Sequence, residues 1–357
     1  MATTTPTPAE QLASDIQSLR SSISSLQSRV KLSSLRDGIE DLETTVTGLG
    51  QRIQGLRARS YVFEKGLESQ AVDFNNRWKV TKPSVIQQIN QQAASLEIAM
   101  RGLEAQMAQL AARSGNPPAA RPLLEQVKNS VSSLESRASA AESAVHGMYD
   151  NFQSEVNTVK YHLDKVDWTL TQVSEASFPF MPTESVVMAV EATWLRDNKE
   201  DKDDPKGVLF LTDQRLLFEQ KQEVATKKVL FITTERQKVQ QLHIDAPVAQ
   251  VQSVKASKQG MFKNEDRLEV QFASGAPLAS AQFHLFGQDS NLWQGLINRV
   301  KSKEFDSDRA VAIDKAVVEK VKAAPTTCPN CNGAITQVVM RGMDSITCEY
   351  CGSVIRL

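Results

Sequence analysis

The longest regular pattern in the sequence runs from Leu124 to Val173 and reads LEQVKNSVSSLESRASAAESAVHGMYDNFQSEVNTVKYHLDKVDWTLTQV. Its apolar residues recur at alternating spacings of three and four, which is typical of a helix that buries one stripe against other helices. One extra step of four follows Phe152, and such a stutter relaxes a supercoil without ending the helix. The stretch therefore predicts one helix of about 50 residues, roughly 75 Å long at about 1.5 Å per residue.

The same spacing continues toward the N-terminus, through residues 9–80. The phase slips by two residues between Val30 and Leu35, which leaves open whether this segment forms one helix or two. Pro83 disfavours helix at the residue before it, so we predict a turn at residues 81–84 and a new helix after that turn.

Short connections make consecutive helices antiparallel. We therefore expect residues 1–8 to form a disordered tail and residues 9–176 to form an all-α, elongated, antiparallel coiled coil or helical bundle. Its simplest role is that of a spacer or a surface for self-association. The alternative, a helical region that lies on or remodels membranes, requires a basic apolar face that the pattern does not show.

The composition is that of an ordinary soluble protein, with 41 basic and 42 acidic side chains and a net charge of -1. This balance provides no global field that would attract nucleic acid or an anionic membrane. The first ten residues lack the basic and apolar segments of a secretory signal, and no apolar run is long enough to span a bilayer. We therefore expect a cytoplasmic protein.

The helical pattern ends at residues 177–184, a linker with two prolines, and the apolar period then changes toward two. Short strand candidates follow, and after them one amphipathic helix at Gln288–Lys301. The strand candidates are residues 186–195, 207–212, 215–220, 228–233, 240–244, 248–256, 267–272 and 279–285. This order predicts a strongly bent antiparallel sheet or partial barrel with the helix over its open end.

Several stretches of this region resemble the GRAM branch of pleckstrin-homology-like (PH-like) domains. They are GVLFLTDQRLLF at Gly207–Phe218, VQSVKASKQGMF at Val251–Phe262, RLEVQF at Arg267–Phe272, and the tryptophan-bearing helix. The most specific part is the hairpin with Thr212 and Arg215. The resemblance covers roughly a third of the chain and implies a PH-like β-barrel of two orthogonal sheets with a C-terminal helix over residues 185–302. Members bind phosphoinositide or other lipid headgroups, or peptides, and many bind no lipid.

One predicted loop of this domain places two apolar side chains between lysines. The residues are Lys255, Lys258, Met261, Phe262 and Lys263. They would form a contact with a partner or with an anionic lipid surface, at the inner face of the membrane. The alternative is that Phe262 caps the barrel while the lysines are solvated, which the even charge balance of the domain favours.

The last segment carries the strongest chemical signal, after a predicted helical connector at residues 303–324. Within residues 325–357 the four cysteines Cys328, Cys331, Cys348 and Cys351 form two CxxC pairs separated by sixteen residues. This is the spacing of a tetrahedral zinc site, with each pair on one tight turn. Four thiolates leave no open coordination position, so we expect structural Zn2+ rather than a catalytic or redox site.

The cysteine segment is similar to the zinc ribbons often appended to bacterial proteins. Gly352 after the second pair allows a positive φ, whereas Asn332 occupies the equivalent position after the first pair and tolerates that conformation. We predict ribbon strands at Ile335–Val339 and Ser345–Thr347.

The sequence contains no Gly-rich phosphate loop, no HExxH and no GxSxG. We therefore expect a non-enzymatic scaffold or adaptor with protein partners, including self-association through the coiled coil. A peripheral protein that binds anionic lipid is the first alternative. A nucleic-acid adaptor that uses the ribbon is the second, and it is disfavoured because Arg341 and Arg356 are the ribbon's only basic residues.

Overall fold

The computed structural model describes residues 7–197, 200–229, 232–260 and 264–357, with side chains except within residues 223–237. The chain has a helical N-terminal region, then a seven-stranded antiparallel sheet, then a small cysteine-rich region. It divides into two compact units. We call Met1–Gly50 with Ser69–Lys160 the helical unit, and Gln51–Glu68 with Tyr161–Leu357 the sheet unit. Among the described helices, none combines the length and the apolar character needed to cross a bilayer.

Long helices form the N-terminal region of the chain. Their bounds are Pro8–Arg29 (α1), Ser33–Ala58 (α2), Leu67–Ala112 (α3), Pro117–His146 (α4) and Asp150–Ser174 (α5). In the helical unit α1 runs parallel to α4, because Asp15 pairs with Lys128 and Arg29 pairs with Glu142. Residues of α3 that are later in the sequence pair with earlier residues of the other helices, so α3 is antiparallel to them. The pairs are Gln27 with Glu104, Arg36 with Asn90, Glu43 with Lys82, Glu155 with Arg77, and Arg137 with Ser95. The helical unit is therefore an up-down-up bundle.

The predicted single helix from Leu124 to Val173 is interrupted, because residues 147–149 form a turn between α4 and α5. Met148, which continues the apolar spacing of the sequence, is 40% exposed, whereas its neighbour Tyr149 is buried at 3%. Tyr149 and Phe152 both pack on Trp78 of α3, with ring centroids 6.3 and 5.5 Å apart. The aromatic contacts with Trp78 therefore determine which residue of the turn faces the core.

The predicted turn at residues 81–84 was wrong, because α3 continues through Pro83. Trp78 and Val85 are buried on either side of it, so packing holds both halves of the helix in one phase. The hydroxyl of Thr81 also donates to the backbone oxygen of Arg77. These contacts outweigh the cost of about 3 kcal/mol that proline imposes on a helix interior.

The N-terminal segment instead breaks at residues 30–32 and at residues 59–66, so residues 9–80 contain parts of three helices. Ser60 and Glu64 have positive φ angles of 69° and 60°, which a helix cannot contain. Phe63 is fully buried, and its ring lies edge-on to that of Phe305 at 5.2 Å within the sheet unit. Tertiary packing of Phe63 thus draws this segment out of the helical pattern.

The sheet has the strand order β4-β3-β2-β1-β7-β6-β5. The bounds are Val186–Leu195 (β1), Lys206–Thr212 (β2), Arg215–Val229 (β3), Ile232–Pro247 (β4), Val251–Gln259 (β5), Glu265–Phe272 (β6) and Ser280–Phe286 (β7). The predicted amphipathic helix is present as α6, Ser290–Lys301, which buries Trp293 and Ile297 and packs against β5 and β6.

The eight predicted strands reduce to seven. The predicted strand at residues 228–233 is divided between β3, which extends to Val229, and β4, which begins at Ile232, and residues 230–231 lie outside the described residues. The predicted strand at 248–256 begins with a short 3-10 helix, Val248–Gln250, before β5.

The expected linker at residues 177–184 is part of the core. Phe178 is buried in a cluster with Ala189, Val208, Phe210 and Leu217, against which Trp168 and Val173 of α5 also pack. The ring of Phe178 meets that of Phe210 edge-on at 5.2 Å. One face of the sheet is therefore covered by the end of α5 and by this segment.

The predicted connector helix at residues 303–324 is two short helices, Glu304–Ser307 (α7) and Lys315–Lys322 (α8). Phe305 is buried, and the guanidinium of Arg309 pairs with Asp213 and lies over the Phe63 ring. No residue of α8 is buried. The connector is thus anchored by its first half.

Candidate metal centre

The four cysteines meet at two turns in the last part of the chain. Their sulfur atoms all lie within 4.8 Å of one another. The Sγ atoms of Cys328 and Cys351 are 3.7 Å apart, and those of Cys331 and Cys348 are 3.6 Å apart. A tetrahedron with metal–sulfur bonds of about 2.3 Å has edges of about 3.8 Å. The four thiols therefore fit a tetrahedral metal ion.

Two matching backbone turns hold the sulfur atoms. Asn332 N–H donates to the oxygen of Cys328, and Gly352 N–H donates to the oxygen of Cys348, both at 2.9 Å. Asn332 and Gly352 have φ angles of 55° and 72°, the left-handed conformation that we expected at both positions. Each turn thus closes on a residue type that tolerates positive φ.

Gly333 has a role that the sequence spacing did not indicate. A Cβ atom at this position would lie 2.6 Å from Cδ2 of Tyr350 and 3.3 Å from the sulfur of Cys331. The absence of a side chain lets the tyrosine ring from the second turn cover the backbone of the first. The glycine therefore serves the contact between the two turns.

The thiols differ in acidity because their neighbours differ. The hydrogen bond with the Ser353 hydroxyl and the contact with the Ser353 backbone lower the pKa of Cys351 to about 6. At Cys331 the Gly333 amide favours the thiolate, but the neighbouring thiols and desolvation outweigh it and raise the pKa to about 12. A metal that binds all four sulfurs must displace the remaining protons, so its affinity depends on pH.

The surroundings suit a structural ion. Cys328 and Cys348 are buried together with Ile355, and Ile335 packs against them. A tetrahedral set of four thiolates is typical of zinc or iron. The short strands Ser345–Thr347 (β8) and Val354–Arg356 (β9) pair beside the site, whereas the predicted strand at Ile335–Val339 is not formed. In so small a segment, a bound metal ion would replace the missing apolar core.

Arg341 attaches the cysteine region to the rest of the sheet unit. Its backbone N–H donates to the oxygen of Phe180 at 2.7 Å, and its guanidinium donates to the oxygen of Glu184. The same guanidinium lies 5.7 Å from the centroid of the Phe180 ring. The local sequence around Arg341 does not indicate this contact, because its partner Glu184 is 157 residues away.

The hairpin residues Thr212 and Arg215 form a buried polar network. Arg215 donates to both carboxylate oxygens of Glu184, at 2.9 and 2.7 Å, and to Asp245 at 2.7 Å. The Thr212 hydroxyl donates to Glu184 at 2.6 Å and accepts from the Arg215 amide. Arg215 also reaches the oxygen of Pro179. These residues therefore fasten the segment before β1 to the β2–β3 turn, and their polar groups are already partnered.

The predicted lipid or partner loop is described only in part. Lys258 pairs with Asp266 at 2.5 Å and with Asp289 at 3.0 Å, and these bonds raise its pKa. Lys255 is exposed on β5 opposite Glu269. The remaining residues of the loop, Met261, Phe262 and Lys263, lie outside the described residues. Contact with lipid stays a prediction, and the pairing of Lys258 leaves it with less free positive charge.

Comparisons with known proteins identify no family. No family model matches the chain, and no curated protein matches it. Among solved structures, the DH/PH domains of p115-RhoGEF match with 12% identity and a TM-score of 0.22, covering 78% of this chain and 94% of that chain. The PDZ-RhoGEF DH/PH domains, solved in complex with GTP-gamma-S activated RhoA, match with 11% identity and a TM-score of 0.23, covering 84% and 96%. At such TM-scores the likenesses support no conclusion about this chain.

Proposed function

We propose that this chain is a non-enzymatic cytoplasmic adaptor. Its helices would act as a coiled-coil spacer and self-association surface, its sheet as a PH-like recognition domain, and its cysteine region as a zinc ribbon for a further protein contact. The observation that carries the proposal is the four-cysteine cluster, which Arg341 fixes to the rest of the sheet unit. A cysteine region attached in this way would present its surface to a partner in one fixed position.

The surface of the ribbon supports a protein partner. Tyr350 is 70% exposed, and Val338 and Val354 are exposed as well. Tyr350 lies between two of the cysteines, so its position depends on the turn that a metal ion would hold. Exposed tyrosines on rigid frames are frequent anchors of protein interfaces. Zinc is the metal that we propose, because a closed set of four thiolates suits its structural sites.

The first experiment measures the metal. Purified full-length chain should contain one zinc ion per chain by elemental mass spectrometry, and the variant Cys348→Ser should lose it. Iron in place of zinc, or a chain that holds no metal with all four thiols reduced, would refute the zinc assignment.

The second experiment tests the adaptor role. A partner captured by cross-linking to the full chain is purified and titrated against the wild type and against a Tyr350→Ser, Val354→Ser double variant. We expect the double variant to bind at least about tenfold more weakly, since truncated anchors cost about 2 kcal/mol or more. Val80→Ser, which alters an exposed valine on α3, is the matched control and should bind normally. Equal affinity of the double variant and the wild type would refute a ribbon contact.

A further inference from the structure

A pocket of about 210 Å³ lies inside the sheet unit, away from the cysteines. Its walls come from α5, from β1 and from the turn that follows β7. The lining residues are Tyr161, Asp164, Lys165, Trp168, Glu191, Phe286, Gly287 and Gln288. The volume is below the range of about 300–1,000 Å³ that is usual for drug-sized ligands, so it suits a small molecule or one terminal group.

The pocket follows directly from helix and sheet geometry. Its four α5 residues have the spacing i, i+3, i+4 and i+7, which places them on one face of the helix. Glu191 and Phe286 are opposite one another where β1 pairs with β7. The hydroxyl of Tyr161 donates to the backbone oxygen of Gly287 at 3.4 Å, which connects the helix to the turn. Three aromatic rings, those of Tyr161, Trp168 and Phe286, thus line the cavity.

The pocket already holds one ammonium group. The Nζ atom of Lys165 lies 4.4 Å from the centroid of the Tyr161 ring. Partial burial lowers the pKa of Lys165, and the carboxylate of Asp289 opposes that shift. A partly desolvated cation over an aromatic face is stabilised by the ring quadrupole. The site therefore accommodates a half-buried cation against an aromatic ring.

One carboxylate at the pocket is available for a ligand. Asp164 is held by Arg52 at 2.5 Å. Glu191, in contrast, has no hydrogen bond or ion pair to any side chain that the structure describes. It is also the one exposed residue of β1, whose other members are buried or half-buried. A charged side chain in this place would gain from a ligand of opposite charge.

We propose that this pocket binds a small organic cation of the quaternary ammonium type, with Lys165 as the resident ammonium that the ligand displaces. The aromatic rings would contact the methyl groups of the cation, and Glu191 would neutralise its charge. An anionic ligand fits less well, because it would lie against the carboxylate of Glu191, whereas Asp164 is already paired with Arg52. A purely apolar ligand would bury Glu191 without a partner, which is costly. The pocket does not involve the cysteine cluster, so the inference is independent of the adaptor proposal.

The experiment titrates the full chain with choline and with its neutral isostere 3,3-dimethylbutan-1-ol, and follows binding by calorimetry and ligand-observed NMR. We expect choline to bind at least about tenfold more tightly than the isostere, because only choline carries the charge. Equal binding of the two ligands would overturn the proposal, and so would the absence of choline binding to both the wild type and Lys165→Met.

Three variants locate the site. Glu191→Gln and Phe286→Leu should each weaken choline binding severalfold, whereas Lys165→Met removes the resident ammonium and should strengthen it. Glu97→Gln, which changes an exposed glutamate of α3, is the matched control and should bind as the wild type does. Because Lys165→Met is expected to gain affinity, a folding defect cannot imitate the result. Choline binding that none of the three variants changes would place the ligand elsewhere and refute the proposal.

A last arm separates two sources of the same chemistry. The chain is sedimented with phosphatidylcholine vesicles in the presence and absence of free choline. Binding to vesicles that free choline competes away would support a lipid headgroup as the source. Binding to free choline without binding to vesicles would support a soluble cation.

Discussion

Arg29–Glu142 in the helical unit and Arg215–Glu184 in the sheet unit are arginine–glutamate pairs of the same bidentate form, and they differ chiefly in burial. In the helical unit, Nε and Nη2 of Arg29 donate to Glu142 at 2.8 and 2.5 Å. In the sheet unit, the same two atoms of Arg215 donate to Glu184 at 2.9 and 2.7 Å. The side chains of the first pair are 39% and 28% exposed, and those of the second are 2% and 0% exposed.

The difference in burial changes how each pair contributes to the free energy of unfolding. Water screens the first pair, so that it contributes no more than about 1 kcal/mol to the free energy of unfolding. The second pair loses its hydration on folding, and its net contribution is small as long as both partners are present. Removal of one partner leaves a buried charge, however, and that is expensive. The exposed pair can thus be lost at little cost, whereas loss of one partner of the buried pair is costly.

Metal removal should have the largest effect, because a metal ion would hold the cysteine region together. Treatment with a chelator should abolish amide protection at β8 and β9 while protection of α1 and α4 stays unchanged, as measured by hydrogen exchange with mass spectrometry. Structural zinc supplies about 10–16 kcal/mol of apparent binding free energy in finger peptides, so the ribbon should not survive its loss. Restoring zinc should restore protection. Protection at β8 and β9 that is the same with and without metal would contradict this expectation.

The buried pair gives the next largest effect. Arg215→Met should lower the free energy of unfolding of the sheet unit by about 3–5 kcal/mol, because the carboxylate of Glu184 loses its partner. Urea unfolding followed by hydrogen exchange in β2 and β3 measures the change. Arg29→Met makes the same substitution in the exposed pair and should cost no more than about 1 kcal/mol.

A double variant separates the charge from the packing. Adding Glu184→Gln to Arg215→Met removes the buried charge and should recover part of the lost stability. If the double variant is less stable than Arg215→Met alone, the cost arises from lost packing and not from an unpaired carboxylate. Equal destabilisation by Arg29→Met and Arg215→Met would show that burial does not distinguish the two pairs.

The attachment of the ribbon should give a smaller effect. Arg341→Ala removes the guanidinium contacts with Glu184 and Phe180 but keeps the backbone bond, so we expect a cost of about 1–3 kcal/mol, confined to docking of the ribbon. Limited proteolysis between residues 323 and 345 should accelerate, while the zinc content stays unchanged. Arg356→Ala changes the other arginine of the ribbon and is the control. Loss of zinc in Arg341→Ala would show that docking and metal binding are not separable.

The local patterns of the sequence predicted local structure well. The cysteine spacing indicated the cluster that the structure brings together, because two residues three apart on one turn meet whatever the rest of the fold does. The apolar spacing likewise indicated the helices of the bundle, and the short alternating segments indicated β1, β2, β6 and β7.

Contacts between distant residues were not predictable in this way. Whether Met148 or Tyr149 faces the core depends on Trp78, which belongs to another helix. Phe63 leaves the helical pattern because Phe305, far along the chain, packs on its ring. The pocket lined by Glu191 and Lys165 likewise requires α5 to lie over the junction of β1 and β7, which one sequence does not reveal.

The smallest effect that distinguishes the two pairs is a dependence on pH. Arg29 hydrogen-bonds to Glu142 and lowers the pKa of that carboxyl from its usual 4.5. Because the folded pKa is the lower one, the pair contributes its stability above the unfolded value, and this contribution disappears as the pH falls through the folded pKa. Arginine stays charged throughout this range, so only the glutamate sets the window. The free energy of unfolding of the wild type and of Arg29→Met should therefore differ by less than about 1 kcal/mol at pH 6 and converge below the folded pKa of Glu142. A constant difference between the two proteins from pH 6 to pH 3 would mean that Arg29 acts through its apolar stem and not through its charge.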